Sequence, residues 1–258
     1  MSNPVEPTDA GGNRTGIATS PLDSRTLEEG ARHAMPAARF DLSEISAARL
    51  SFSRAVEPVG TMPPPASVKG AVKAAMTAIR GKHPMVFLDL LGERLAFERT
   101  GTRLYDALLV KLQAAHAHQG GPTRAEIEAI RDDEIRHAAL VKRAIETLGA
   151  DPTAVTPSAD VAAVASQGLV AVLTDPRTTL SEALKTVLIA ELADNDAWLT
   201  LRQLAERLGQ DELARDFSRA LEEEEEHLAM VRSWVNSTIL SMAGAQSGAD
   251  GDTFRAEP

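Results

Sequence analysis

"LEEEEEHLAMV", residues 221–231, sets five consecutive glutamates inside a segment whose other residues follow a helical apolar stripe. Each helical residue turns by about 100°, so a run of five sweeps about 500° and cannot lie wholly on the wet face. Steps of alternately three and four residues give the inward seam Leu213, Phe217, Ala220, Glu224, His227, Val231 and Trp234. Glu224 is therefore the inward member of the run, with His227 three residues later. Glu223, four before His227, is the alternative inward candidate, and the other glutamates face solvent.

The same construction finds three more seams upstream. The first helix, about 85–118, gives Leu88, Leu91, Leu95, Glu98, Thr102, Tyr105, Leu109 and Leu112. The second, opened at Thr123 by a capping box with Glu126 and closed at Gly149, gives Ile127, Ile130, Glu134, His137, Val141, Ala144 and Leu148. The third, about 179–208, gives Leu184, Val187, Glu191, Asp194, Trp198, Leu201, Ala205 and Leu208, and the fourth runs from Asp211 to about 243. Short connections join the first helix to the second and the third to the fourth. About thirty residues, with an extra helix in "SADVAAVASQGLVAVL", separate the second from the third. That pattern predicts an all-α antiparallel four-helix bundle with one long crossover over 83–243.

A carboxylate interrupts every seam near its middle, and the second and fourth helices each add a histidine at i+3. An unpaired carboxylate in a low-dielectric core costs several kcal/mol. Two divalent cations would neutralise Glu98, Glu134, Glu191 and Glu224, with His137 and His227 each supplying a ring nitrogen. One Glu-x-x-His is more often a surface pair. Two of them, each preceded by a seam glutamate on the helix before, make a much more specific pattern. The intervals Glu98 to Glu134 and Glu191 to Glu224, 36 and 33 residues, read as two copies of one hairpin unit, and Tyr105 or Trp198 follows each single glutamate by seven.

The rest of the chain is less informative. Its 258 residues are 43% hydrophobic, 25% charged and only 3% aromatic, with no alternating strand pattern. A formal charge of −10 makes nucleic acid an unfavoured partner, and the absence of cysteine excludes thiolate ligands and disulfides. Residues 1–65 hold eight of the fourteen prolines and read as a disordered or loosely docked arm, with a short helix around "SEISAARLSF". Residues 66–82 read as a short amphipathic helix and 244–258 as a disordered tail. The start lacks a secretory pattern and no apolar stretch approaches a bilayer's span, so a cytoplasmic location is expected.

Over about residues 85–243, "FERTGTRLYDAL", "DDEIRHAAL", "LIAELADNDAWL" and "LEEEEEHLAMV" resemble the ferritin-like di-iron carboxylate superfamily, particularly rubrerythrins and bacterioferritins; the same ligand plan is known for that superfamily. The resemblance implies terminal ligands at Glu98 and Glu191, bridging ligands at Glu134 and Glu224, and one nitrogen ligand per metal from His137 and His227. It makes Tyr105 the tyrosine that hydrogen-bonds a carboxylate ligand. Asp194 stands where rubrerythrins carry an additional glutamate. No four-cysteine electron-transfer module is present, so an external donor is implied, and Ile135 occupies the bacterioferritin haem-methionine position, which implies no haem. The expected cofactor is two Fe ions, with Mn allowed, in an oxidoreductase reacting with O2 or H2O2. A ferritin-like hydroxylase of a small organic substrate, a manganese catalase-like enzyme and a non-catalytic binding module remain as alternatives, and the chain is compatible with a homodimer.

Overall fold

The computed structural model describes residues 21–33, 42–57, 59–62, 84–115 and 119–244. The amphipathic helix expected over 66–82 and nearly all of the C-terminal tail lie outside them. The chain divides into two compact units, Met1–Glu57 and Pro58–Pro258. In the first, α1 (Pro21–His33) and α2 (Leu42–Ala55) are helical. The second of these covers the predicted "SEISAARLSF". The first has no apolar stripe to announce it, only Leu22 and Leu27, both exposed. Its quieter signals are Pro21 at the first helical position and Arg32 with His33 in the last turn.

Among the described residues five helices build the second unit: α3 (Pro84–Ala114), α4 (Arg124–Thr147), α5 (Pro157–Thr174), α6 (Leu180–Arg207) and α7 (Asp211–Met242). Among the described residues there is no strand, and the fold is the all-α ferritin-like bundle. The capping box Thr123/Glu126 starts α4, and an equivalent box, Thr179/Glu182, starts α6. Gly149 and Gly209 adopt φ of +83° and +69° just past the ends of α4 and α6, the left-handed conformation glycine accepts without a Cβ penalty. Hairpins α3–α4 and α6–α7 pack side by side, with α3 against α6 and α4 against α7.

The crossover helix α5 lies on α3 and α6. Gly92 in α3 permits this close approach, since a Cβ there would stand 2.4 Å from Oγ1 of Thr156, the residue that caps α5 and donates to the Asp89 carbonyl. By length and composition α5 also qualifies as a membrane span. This corrects the expectation that no apolar stretch approaches that length: its one charged residue is Asp160, and Val161 and Val164 on its outer face are exposed. Residues 59–62, expected within a loose arm, run along the bundle, where the Thr61 amide donates to the Val155 carbonyl at 2.7 Å and Met62 joins the core.

The bundle interior has two apolar clusters. One surrounds Phe87, Leu91, Trp198 and Phe217, and the other surrounds Tyr105, Leu108, Ile127, Leu184 and Trp234. The polar layer set by the four interrupted seams lies with them in the buried interior. Burial of both clusters drives the four amphipathic faces together, so the positions of the carboxylates follow from packing of their apolar neighbours.

Candidate metal centre

Glu98 on α3, Glu134 and His137 on α4, Glu191 on α6, and Glu224 and His227 on α7 are all at most 2% exposed. Their ligand atoms converge. Oxygens of Glu98 and Glu224 and a nitrogen of His137 form one group in which every atom lies within 4.8 Å of the others; Glu134, Glu224 and His227 form a second. A third joins Glu98, Glu134, Asp194 and Glu224. Glu224 belongs to all three, and Glu98 and Glu134 each belong to two. Glu191 is in none of the three, and one of its oxygens accepts a short hydrogen bond from the Tyr105 hydroxyl.

The donor set fits metal ions. Glu134 Oε2 and Glu191 Oε2 are buried with no hydrogen-bond partner, and the remaining inward atoms, Glu98 Oε2, His137 Nδ1, His227 Nδ1 and both oxygens of Glu224, are buried with only one another for ionic partners. Buried polar atoms are otherwise nearly always fully paired, so partnerless carboxylate oxygens within a knot of buried like charges form a donor set that a cation would satisfy. The histidines present Nδ1 inward, His137 at 2.7 Å from Glu224 Oε1 and His227 at 3.4 Å from Glu224 Oε2.

Each histidine is turned by a carboxylate from the opposite hairpin. His137 Nε2 donates to Glu223 Oε2 at 2.7 Å, and His227 Nε2 donates to Asp133 Oδ2 at 3.1 Å. Such outer carboxylates fix the tautomer and raise ligand basicity. Glu223, the alternative inward candidate, is thus assigned: its side chain is 45% exposed, and it orients His137 while Glu224 alone enters the core. The sequence did signal these partners, because an acidic residue immediately precedes each Glu-x-x-His in "DDEIRH" and "EEEEEH".

Arg94, like Asp133, was not anticipated. Arg94, 2% exposed, places Nε 2.9 Å from Glu98 Oε1 and Nη1 2.6 Å from Asp194 Oδ1. It lies one turn before Glu98 on the same face, the only available sequence signal. Tyr105 from α3 holds Glu191 on α6. In the matching place Trp198 from α6 does not hold Glu98; its Nε1 has no partner, and Arg94 performs that task. Asp194, standing where rubrerythrins have a glutamate, is engaged by the same guanidinium. The five buried carboxylates less one guanidinium leave the net charge that two divalent ions cancel.

Without metal this crowding keeps protons on the site. Burial pushes the Glu191 carboxyl up to about 8, assisted by the Glu224 charge. Glu98 rises to about 6 through burial, with Arg94 pulling against it. Burial also drives Glu134 and Asp194 well above the carboxylate range. For Glu224 burial acts upward too, but hydrogen bonds from both histidines win and hold it at about 2. Tyr105, buried beside Glu191, is raised well above 10 and stays a proton donor.

Gly101 completes the geometry. One turn after Glu98, it faces Glu134, and a Cβ there would stand 2.0 Å from Glu134 Oε2. The glycine in "FERTGTRLY" therefore makes room for the central carboxylate.

A ferritin-like bundle whose four helices deliver a buried Glu/His cluster of this composition has the architecture of the di-metal carboxylate proteins and could hold two metal ions. The family model Rubrerythrin matches residues 89–235. The chain belongs to the rubrerythrin family. No curated protein and no solved structure gives a significant match.

Proposed function

We propose that the protein is a di-iron oxidoreductase that uses O2 or H2O2 as oxidant, with ferroxidase or peroxide-scavenging activity. The carrying observation is the convergence of buried carboxylate and imidazole ligand atoms from all four helices, between apolar clusters. When bound, a pair of iron ions supplies two electrons for reduction of the oxidant. This chain's residues do the rest. Glu98, Glu134, Glu191 and Glu224 compensate cationic charge, and His137 and His227 are aimed by Glu223 and Asp133. Tyr105 holds a proton at Oη against Glu191, and Arg94 holds one oxygen of Glu98 so that the other faces inward. Leucine, valine and aromatic side chains on either side exclude bulk water.

The oxygen and nitrogen donors suit iron and manganese alike, so metal analysis of protein purified without supplementation separates iron chemistry from a manganese catalase-like reaction. The test of the proposal is anaerobic loading with Fe(II), then stopped-flow mixing with H2O2 or O2. Growth of near-ultraviolet ferric absorbance with two Fe per chain supports it. Fe(II) that is not retained, or is oxidised no faster than free Fe(II), rejects it in favour of a non-catalytic bundle.

A further inference from the structure

Among the described residues Arg94 is the one lysine or arginine that is buried, and it is buried inside the candidate centre. Its guanidinium is held from several sides. Nε stands 2.9 Å from Glu98 Oε1, and Nη1 stands 2.6 Å from Asp194 Oδ1 and donates to the Asp194 carbonyl at 3.3 Å. The ring centroids of Phe97 and Trp198 lie 4.5 and 5.9 Å from the guanidinium carbon. Arginine keeps its charge at any pH the folded protein meets, so the centre contains one positive charge that neither dissociates nor exchanges with solvent.

Asp194 is tied to that charge by two of its oxygens, Oδ1 and the carbonyl. Together the two side chains are neutral. The charges of Glu98, Glu134, Glu191 and Glu224 then match two divalent ions, and the loss of one electron from either ion adds positive charge beside a fixed guanidinium. Charges in a buried site are screened far less than charges in water. A guanidinium one carboxylate away from the metal position therefore opposes oxidation, and the aspartate that faces it relieves that opposition.

We propose that Arg94 and Asp194 are an opposed pair of charges that sets the reduction potential of the metal centre, the guanidinium favouring the divalent ions and the carboxylate favouring their oxidation, with Asp194 held by Arg94 instead of serving as a ligand. The inference rests on the di-iron reading and goes beyond it: it assigns to two side chains outside the six ligands the balance between the reduced and oxidised states.

The test loads the full-length protein with Fe(II) under nitrogen, measures iron per chain, and then follows ferric absorbance in a mediated spectroelectrochemical titration, in which each Fe(II) passes one electron to the electrode and becomes Fe(III). Arg94→Leu should stabilise the ferric state by about tenfold or more, a fall in midpoint potential of about 59 mV or more. Asp194→Asn should keep two ions and shift the potential upward on the same scale. Arg94→Leu combined with Asp194→Leu removes both charges and should return to within about 59 mV of the native value. Structural damage alone would not move the two single variants in opposite directions. Asp194→Asn leaves the contact between Arg94 and Glu98 in place, so it decides the matter together with the double variant if Arg94→Leu does not fold. The inference is overturned if Asp194→Asn loses an ion, if its potential is native or lower, or if two-iron Arg94→Leu protein has a native or higher potential. A native protein with two irons whose variants behave in this way overturns the inference alone, whereas a native protein that takes up no iron overturns the di-iron reading and the inference with it.

Discussion

Gly101→Ala separates the needs of the helix from those of the centre. In a helix interior alanine is favoured over glycine by about 1 kcal/mol, so an ordinary glycine in α3 would gain stability from the change. Here the added Cβ would lie 2.0 Å from Glu134 Oε2 and 2.7 Å from Cδ, whereas real Cβ contacts essentially never fall below 3.0 Å. The carboxylate must move by about an ångström, against a tolerance of about 0.2 Å for a metal–ligand bond. Because the displaced atoms end a flexible side chain, the metal-free variant should fold and melt at or slightly above the native temperature. Its metal affinity should fall by about 10- to 100-fold, the scale of disturbing a ligand's support. Each tenfold loss removes about 1.4 kcal/mol of metal-dependent stabilisation at fixed excess metal. Calorimetric melts with and without metal, together with a metal titration, read both quantities. Native affinity in a stably folded Gly101→Ala protein would refute the assignment of Glu134 to the centre.

Asp133→Asn and Glu223→Gln, which weaken the acceptors that orient His227 and His137, should each reduce metal affinity by about 10- to 100-fold without unfolding the protein; unchanged titrations would remove these carboxylates from the centre. Tyr105→Phe should leave the fold intact and lose the tyrosine–carboxylate signature in a vibrational difference spectrum taken on metal binding, tyrosine being present once in the chain. A native-like spectrum would show that the hydroxyl does not reach Glu191. Glu191, raised from 4.5 to about 8, makes the folded metal-free protein bind more protons than the unfolded chain. Its contribution is therefore fully present below about pH 4.5 and is lost as pH rises toward 8, so metal-free melting temperature should fall between pH 5 and 8. Metal uptake over that range should release protons; a flat profile with no release would contradict the raised carboxyl.

The bundle was legible because its signals are local and periodic: capping at Thr123, glycines at 149 and 209, and four apolar seams whose interruptions align. The six candidate ligands emerged from the same seams, since a carboxylate between leucines that recurs on four helices calls for a compensating charge. Arg94 escaped because it stands beside the seam, and its inward turn is determined by the Asp194 carboxylate 100 residues away in sequence. Gly101 was invisible for a related reason: a missing Cβ has meaning only once Glu134 is known to face it. Asp133 and Glu223 lay in plain view as acidic neighbours of the inward glutamates. Their role depends on a crosswise pairing between hairpins that periodicity within one helix cannot show. Helix α1 has too few apolar residues to leave a stripe.

The convergence of six ligands on two cations is tested most directly by metal content per chain after loading the full-length protein with Fe(II) under nitrogen and desalting it. The account expects two ions in the native protein and fewer than one in Glu224→Gln, because Glu224 is shared by every ligand group in the centre. A native protein that retains none, or a folded Glu224→Gln protein that still retains two, would contradict it.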